Sequence, residues 1–334
     1  MSTRSVLGLL YTTKAFKELG YPIDDLLQRY GLHTDTLDAN ARIDRATELE
    51  ILCDICALNP DPLIGMSIGS QMGIAGYGPL SMLVMTCQNA YEACQMGVRY
   101  QALAYLFGDI KLHLGSEQSE LSLEPMTIPA AINQFVILRD LAGTYRFVRD
   151  IFQMNDRPIK LSEVTLSFEL KGQQAKVETL FQCPVRFSQQ NNTLRLPSHY
   201  LKAPFPQGNT NAFDMYREQC DKLLSQASDL GGTLHHSLYR YLNMFNFDYP
   251  SVVEAANTFG MSERTFRRQL KHEGYSYQKV LDQVRFDKAK TWLCESLVSI
   301  EQIANKLGYQ EAAAFNHAFK RWSGQSPSQY RKQH

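Results

Sequence analysis

Ser251-Val-Val-Glu-Ala-Ala-Asn-Thr-Phe-Gly260 is followed by Ser299-Ile-Glu-Gln-Ile-Ala-Asn-Lys-Leu-Gly308, and the two stretches repeat Ser, Ala, Asn and Gly at an offset of 48. Each opens with S-x-x-E/Q, a capping box in which side chain and backbone satisfy each other's unpaired donors at a helix start. Each closes on glycine, the residue that ends a helix by turning left-handed. The pattern predicts one short helix from Val252 to Phe259 and another from Ile300 to Leu307.

A second helix comes after each copy. In the first, Ser262 is an N-cap residue, and Phe266 and Leu270, four apart, must face inward. Arg264, Arg267, Arg268 and Lys271 are left to the outer and flanking faces. A short face with three arginines suits the major groove, where a bidentate guanidinium reads guanine O6 and N7. In the second copy the chain turns at Gly308-Tyr309 and is expected to resume as helix at Gln310, burying Phe315, Phe319 and Trp322. Asn316, His317, Lys320 and Arg321 remain for solvent or nucleic acid. Ala312 and Ala313 offer only apolar contact to a thymine methyl, so base discrimination is expected to be weaker here. Between the copies, Tyr277 to Ser296 carries an unbroken helical pattern (Val280, Val284, Ala289, Leu293), about 30 Å long at 1.5 Å per residue. Adjacent major-groove segments on one face of B-DNA lie about 34 Å apart. Two second helices held apart by such a rod could therefore enter successive turns of one duplex.

The 34 Lys+Arg and 34 Asp+Glu of the 334-residue chain give no net charge, but the balance is uneven. Residues 1–234 hold 20 basic and 25 acidic groups, leaving 14 and 9 for residues 235–334. The positive potential that would meet a phosphate backbone is confined to the C-terminal part. The length suggests two domains. No apolar run approaches the roughly 20 residues of a membrane span, and the N-terminus has no secretory pattern; a cytoplasmic location is expected. Seven scattered cysteines are expected to be reduced thiols, and Cys53-Asp-Ile-Cys56 to pack as core. No catalytic constellation or metal-ligand spacing stands out, so neither cofactor nor metal is expected.

Upstream of the repeat, Ile23, Leu26, Leu27 and Tyr30 mark a helix ending at Gly31, and Leu49, Leu52, Cys53 and Cys56 mark another. Further helices are expected at Pro79 to Gln88, Ala90 to Tyr105 and Asn133 to Met154. Period-two stretches at Ile110 to Leu114 and Glu120 to Glu124 form a hairpin, with more strand at Val164 to Phe168 and Leu194 to Leu196. Gly73-Ile-Ala-Gly76-Tyr-Gly78 lacks phosphate-loop spacing and reads as a turn. The fold class is therefore an α+β N-terminal domain, helices plus a small antiparallel sheet, over residues 1–204. A connection with a short helix over 205–234, punctuated by Gly231-Gly232, leads to an all-α domain with two helix-turn-helix motifs over 235–334.

Residues 251–331 resemble the AraC/XylS family of transcription regulators, through Ile303-Ala304, Leu307-Gly308-Tyr309, Phe315, Phe319-Lys-Arg321 and Gly324-Gln-Ser-Pro327-Ser-Gln-Tyr330-Arg331. The resemblance implies base contacts at Arg264, Arg267, Arg268, Ala312, Ala313, Asn316 and His317. It places Ser262, Ser299 and Gln310 at helix starts that meet phosphates, as helix N-termini can; Lys271, Lys320 and Arg321 join them as phosphate-contacting cations. Residues 5–200 are more loosely similar to the effector-binding and dimerisation domain of ornithine-utilisation and virulence-type regulators, through Gly76-Tyr-Gly78-Pro-Leu-Ser, Asn89-Ala-Tyr-Glu-Ala93 and Arg99-Tyr100. Together the two resemblances imply a ligand-responsive activator that meets double-stranded promoter DNA, RNA polymerase and a small-molecule effector, and forms a homodimer through its N-terminal domain. Tyr77, Arg99, Tyr100, Tyr105 and Phe107 would line an effector pocket suited to an amphipathic acid. The alternative is a DNA-directed repair or modification enzyme that carries the same module and a reactive Cys.

Overall fold

The computed structural model describes residues 3–33, 41–226, 233–245, 247–295 and 298–333. Gly231-Gly232 and Ser296 lie outside the described residues. The chain forms two compact units, one of 2–43 with 51–230 and one of 44–50 with 231–334.

The larger unit holds β1 (Thr3–Ser5), α1 (Leu7–Glu18), α2 (Ile23–Gln28) and most of β2 (Arg42–Asp44) and α3 (Arg45–Leu58). It continues through α4 (Leu63–Gln71), α5 (Pro79–Met85), α6 (Ala90–Arg99), β3 (Asp109–His113), β4 (Gln118–Glu124) and α7 (Ala130–Met154). The last elements are β5 (Glu163–Thr165), α8 (Gln174–Phe181), β6 (Val185–Arg186), β7 (Asn192–Pro197) and α9 (Thr210–Gln226). Helix α7 is the axis of the unit, with 14 buried residues among its 25. Helix α4 can lie against it because Gly65 and Gly69 have no side chains. A Cβ there would stand 2.3 Å from the Phe135 carbonyl oxygen or 2.2 Å from that of Arg139.

Five strands form one sheet in the order β3-β4-β7-β5-β6. All pairs are antiparallel except β5 with β6, which run parallel. The expected hairpin forms with Ile110 opposite Leu123 and Leu112 opposite Leu121. Alternation puts Ile110, Leu121, Leu123, Leu194 and Val164 in the core, as a sheet covered on one face requires. Strand β5 is shorter than the Val164 to Phe168 pattern suggests.

The helix expected over Ala90 to Tyr105 stops at Arg99 and gives way to a single 3-10 turn at Gln101–Leu103. There the Gln101 Oε1 accepts the Ile110 N–H at 2.6 Å, tying the chain to the sheet instead of extending the helix. The helix within the expected connection is α9, 17 residues long, with Cys220 fully buried. In the glycine turn, residues 74–77 form a 3-10 turn and Gly78 takes φ +57°, a conformation open to glycine.

The second unit contains α10 (Leu234–Asn243), α11 (Val252–Thr258), α12 (Glu263–His272), α13 (Tyr277–Glu295), α14 (Ile300–Lys306), α15 (Ala312–Ser323) and α16 (Pro327–Gln333). Helix α13 serves two cores. Val280 and Val284 are buried beside α10, whose Tyr239 hydroxyl donates to Asp287 Oδ2 at 3.0 Å. Ala289 and Leu293 join Ile303, Ala304, Leu307, Phe315 and Phe319 in a separate cluster. Its 19 residues span about 28 Å.

Candidate nucleic-acid interface

The 48-residue repeat has a local physical cause. Ser251 and Ser299 each close a complete capping box, with Glu254 and Gln302 respectively. At the other end, the Met261 and Tyr309 N–H groups reach back to the carbonyls of Ala256 and Ala304, at 2.9 and 3.0 Å. The Gly260 and Gly308 N–H groups bond to Asn257 and Asn305, at 2.8 and 3.0 Å. Both helices thus end in a Schellman motif, with glycine at φ +66° and +76°, which satisfies carbonyls the helix leaves unpaired. The repeated alanines are fully buried. Ser, Ala and Gly therefore recur because the two turns are the same structure.

The turns differ by one residue after the glycine. Ser262 caps α12 by accepting the Thr265 N–H at 3.3 Å. In the second copy the N-cap is Glu311, in extended backbone and without a side-chain cap bond, and α15 starts at Ala312. Gln310, expected at the helix start, stands two residues ahead of it because this turn is one residue longer. The second helices then align at an offset of 49, Phe266 and Leu270 matching Phe315 and Phe319, all fully buried.

With those side chains inward, Arg264, Arg267, Arg268 and Lys271 are exposed along α12, and Ala313, Asn316, His317, Lys320 and Arg321 along α15. Ala312 is half-buried against the cluster below it. Ser262 and Ser299 are exposed at the starts of α12 and α14. Arg267 pairs with Glu263 at 2.7 Å and Arg321 with Asp282 at 2.9 Å. Such exposed pairs contribute at most about 1 kcal/mol, so a phosphate or base edge can displace them. Arg264 and Arg268 make no ion pair among the described residues. Arg331 turns inward, donating to the carbonyls of Leu293 (3.2 Å), in the last turn of α13, and of Val298 (2.6 Å), beyond its end.

In the larger unit, the five expected pocket residues do not share one wall. Tyr77 lines a cavity between α6, α7 and the sheet. Tyr105 stacks on it at 4.5 Å and donates its hydroxyl to the Gly76 carbonyl. Phe107 is clamped between two guanidinium groups, Arg4 and Arg139, each 4.5 Å from its ring centre. Tyr100 is buried and donates to Asp221 at 2.7 Å; Arg99 is exposed and meets the same carboxylate at 3.5 Å. Sequence reading missed the cavity residues on α6. Their signal was a run of small side chains, Ala90, Ala93, Cys94 and Gly97, on one helical face.

Burial pushes the thiols of Cys56, Cys87 and Cys94 up to about 12 and those of Cys183 and Cys220 to about 11. These stay protonated at neutral pH, whereas a reactive cysteine needs its thiolate. Among the described residues, no cluster of three or more His, Cys, Asp or Glu side chains could hold a metal. No helix among them is long and apolar enough to cross a membrane.

The family model described as the arabinose-binding domain of AraC transcription regulator, N-terminal, matches residues 20–205, and a helix-turn-helix domain model matches residues 255–333. An uncharacterized HTH-type transcriptional regulator of Mycobacterium tuberculosis is 28% identical, over 96% of this chain and 95% of its own length. The ornithine utilization regulator of Pseudomonas aeruginosa is 27% identical, over 94% and 92%. Among solved structures, the transcriptional regulator CdpR of Pseudomonas aeruginosa matches with 24% identity and a TM-score of 0.45, covering 93% of this chain and 96% of that one. The repair-enzyme alternative finds no support in these comparisons.

Proposed function

The chain belongs to the AraC family of DNA-binding transcription regulators, and from that premise we propose that it is a ligand-responsive activator reading two successive major-groove segments of one promoter. Helix α12 reads bases through Arg264, Arg267 and Arg268. Helix α15 contributes Ala312, Ala313, Asn316 and His317 with less discrimination. Ser262, Lys271, Ser299, Gln310, Lys320 and Arg321 meet phosphates. The observation that carries this reading is α13, one helix that packs at one end on α10, against which α12 also lies, and at the other joins the cluster under α15. A spacer built into both cores fixes the separation of the two heads, as subunit pairing does in dimers of single motifs.

Residues 235–334 act as the DNA-binding domain. The unit before them holds the effector in the cavity between α6 and α7, mediates pairing of two chains, and biases the module's contact with promoter DNA and RNA polymerase in the cytoplasm. An effector does this only by binding two states unequally.

Binding of the purified full chain to its promoter fragment and to random DNA tests the site assignment. Arg268→Ala should weaken specific binding by about 1–3 kcal/mol and relax base preference, whereas Lys320→Ala should weaken binding to every sequence and lower the salt slope by about one. Equal effects of both substitutions on the two DNAs refute the division of labour. Native mass spectrometry of the purified chain reads the effector and the subunit count together: a retained small molecule is expected.

A further inference from the structure

We infer that the cavity between α6, α7 and the sheet takes an uncharged, largely apolar small molecule bearing one hydrogen-bonding group, and that Gly97 keeps it open. The inference rests on the effector reading above and gives that effector its chemical class.

The lining sets the chemistry. The cavity, partly open to solvent, is bounded by side chains that include no Asp, Glu, Lys, Arg or His. A carboxylate ligand would leave water for a wall that offers no cation, which is strongly unfavourable. A sugar would bring several hydroxyls, each costly to leave unpaired. The polar groups of the wall are few. Thr144 donates its hydroxyl proton to the Asp140 carbonyl at 2.8 Å, which leaves its oxygen as an acceptor. Gln101 has its oxygen committed to the Ile110 N–H, which leaves its NH2 group as a donor. Burial holds the Cys94 thiol neutral. With the Tyr77 hydroxyl and the Cys94 S–H these are the wall's few hydrogen-bonding groups, which suits a single hydroxyl, amide or heterocyclic N–H on an otherwise apolar body.

Gly97 supplies the second line of argument. It lies inside α6, where glycine gives up more backbone entropy than any other residue, and two common reasons for a helical glycine do not apply. Its φ is not positive, and a Cβ built on it meets only the Phe147 ring edge, at 4.0 Å. Gly65 and Gly69, by contrast, are demanded by the backbone of α7. What the missing side chain at Gly97 provides is room, on the wall of the cavity it lines.

Calorimetric titration of the full-length chain with benzyl alcohol, benzoate and L-arabinose tests this. Benzyl alcohol should bind saturably at one site per chain, and benzoate and L-arabinose should bind at least tenfold more weakly. Gly97→Leu should reduce benzyl alcohol affinity at least tenfold without loss of promoter binding. Gly97→Ala, which favours the helix, should reduce it severalfold with an unchanged or raised melting temperature, and it decides the matter if Gly97→Leu does not fold. The proposal is overturned if benzyl alcohol does not bind, if benzoate or L-arabinose binds as well, or if affinity ignores both substitutions. A retained molecule in native mass spectra without benzyl alcohol binding sinks the cavity assignment and spares the effector reading. Gly97-dependent binding that leaves promoter affinity unchanged at saturation does the reverse.

Discussion

Gly260 and Gly308 occupy the same place in two copies of one turn, yet alanine should be far worse tolerated at the second. At Gly260, φ is +66° and a Cβ meets nothing within 4 Å. Gly260→Ala therefore costs only the left-handed backbone of an L-residue, about 1–2 kcal/mol. At Gly308, φ is +76° and the same Cβ stands 2.5 Å from the Phe247 carbonyl oxygen and 3.3 Å from Arg285 Nη2. Backbone must move there, and Phe247 is tethered by its own N–H to the Lys306 carbonyl at 2.8 Å. Adding about 1–3 kcal/mol for overpacking to the backbone cost gives about 2–5 kcal/mol for Gly308→Ala. For a domain of about 100 residues each kcal/mol lowers the melting temperature by roughly 4–8 °C, so about 3 kcal/mol means roughly 12–24 °C. The assay is built into the chain, because its two tryptophans, Trp292 and Trp322, both pack on the cluster that contains Leu307. Thermal melts tracked by tryptophan fluorescence report the second motif, and far-UV circular dichroism reports the helices of both. Equal losses, or a larger loss for Gly260→Ala, would show that the Phe247 contact does not constrain the turn.

Two other substitutions probe the remaining structure. Arg139 and Asp140 are each 1% exposed and paired at 2.7 Å, with Asp140 also accepting the Phe107 and Gly108 N–H groups. Arg139→Met strands a buried carboxylate and should cost about 3–5 kcal/mol; a loss below about 1 kcal/mol in urea unfolding contradicts this. Glu273 receives the N–H groups of Leu234 and His235 and the His235 ring, at 2.7–2.9 Å. Burial alone would raise its pKa, but these bonds prevail and hold it below the ordinary 4.5. A depressed carboxyl stabilises fully above its unfolded value, so this contribution is complete above about pH 4.5 and fades as pH falls through the lower folded value. Glu273→Gln should flatten acid unfolding in that window, and an unchanged pH profile counts against the bond set.

What could be read in the sequence was whatever is decided locally. A capping box, a Schellman glycine and two inward aromatics lie within a few residues of one another, so Ser251, Gly260, Phe266 and their counterparts were legible without tertiary information. The family-like string through Ile303, Leu307, Phe315, Phe319 and Tyr330 is legible for the same reason, and in the structure those residues make up or flank one hydrophobic cluster; they hold α15 in place rather than face solvent. Gln310 was misplaced because a one-residue difference in turn length leaves no periodic trace. In the larger unit, an aromatic can be wall, core or clamp depending on partners far along the chain. Phe107 is fixed by Arg4 and Arg139, a relation no local pattern contains, whereas the small-residue face of α6 was visible as a helical period and went unread.

Aligning the second helices by their buried aromatics, at an offset of 49, sharpens the asymmetry between the heads. Arg264, Arg267, Arg268 and Lys271 then correspond to Ala313, Asn316, His317 and Lys320, so only the last position keeps its charge. Ser262 at the first N-cap corresponds to Glu311 at the second. A carboxylate there favours the positive end of the helix dipole but repels a phosphate that would use the same end. Within the proposed reading, α12 then supplies most of the sequence preference, and α15 is brought to the next groove by α13 rather than drawn there by its own charge. The rigidity of α13 thus becomes the quantity on which two-site binding depends: loosening it would uncouple the weaker head and leave the stronger one bound.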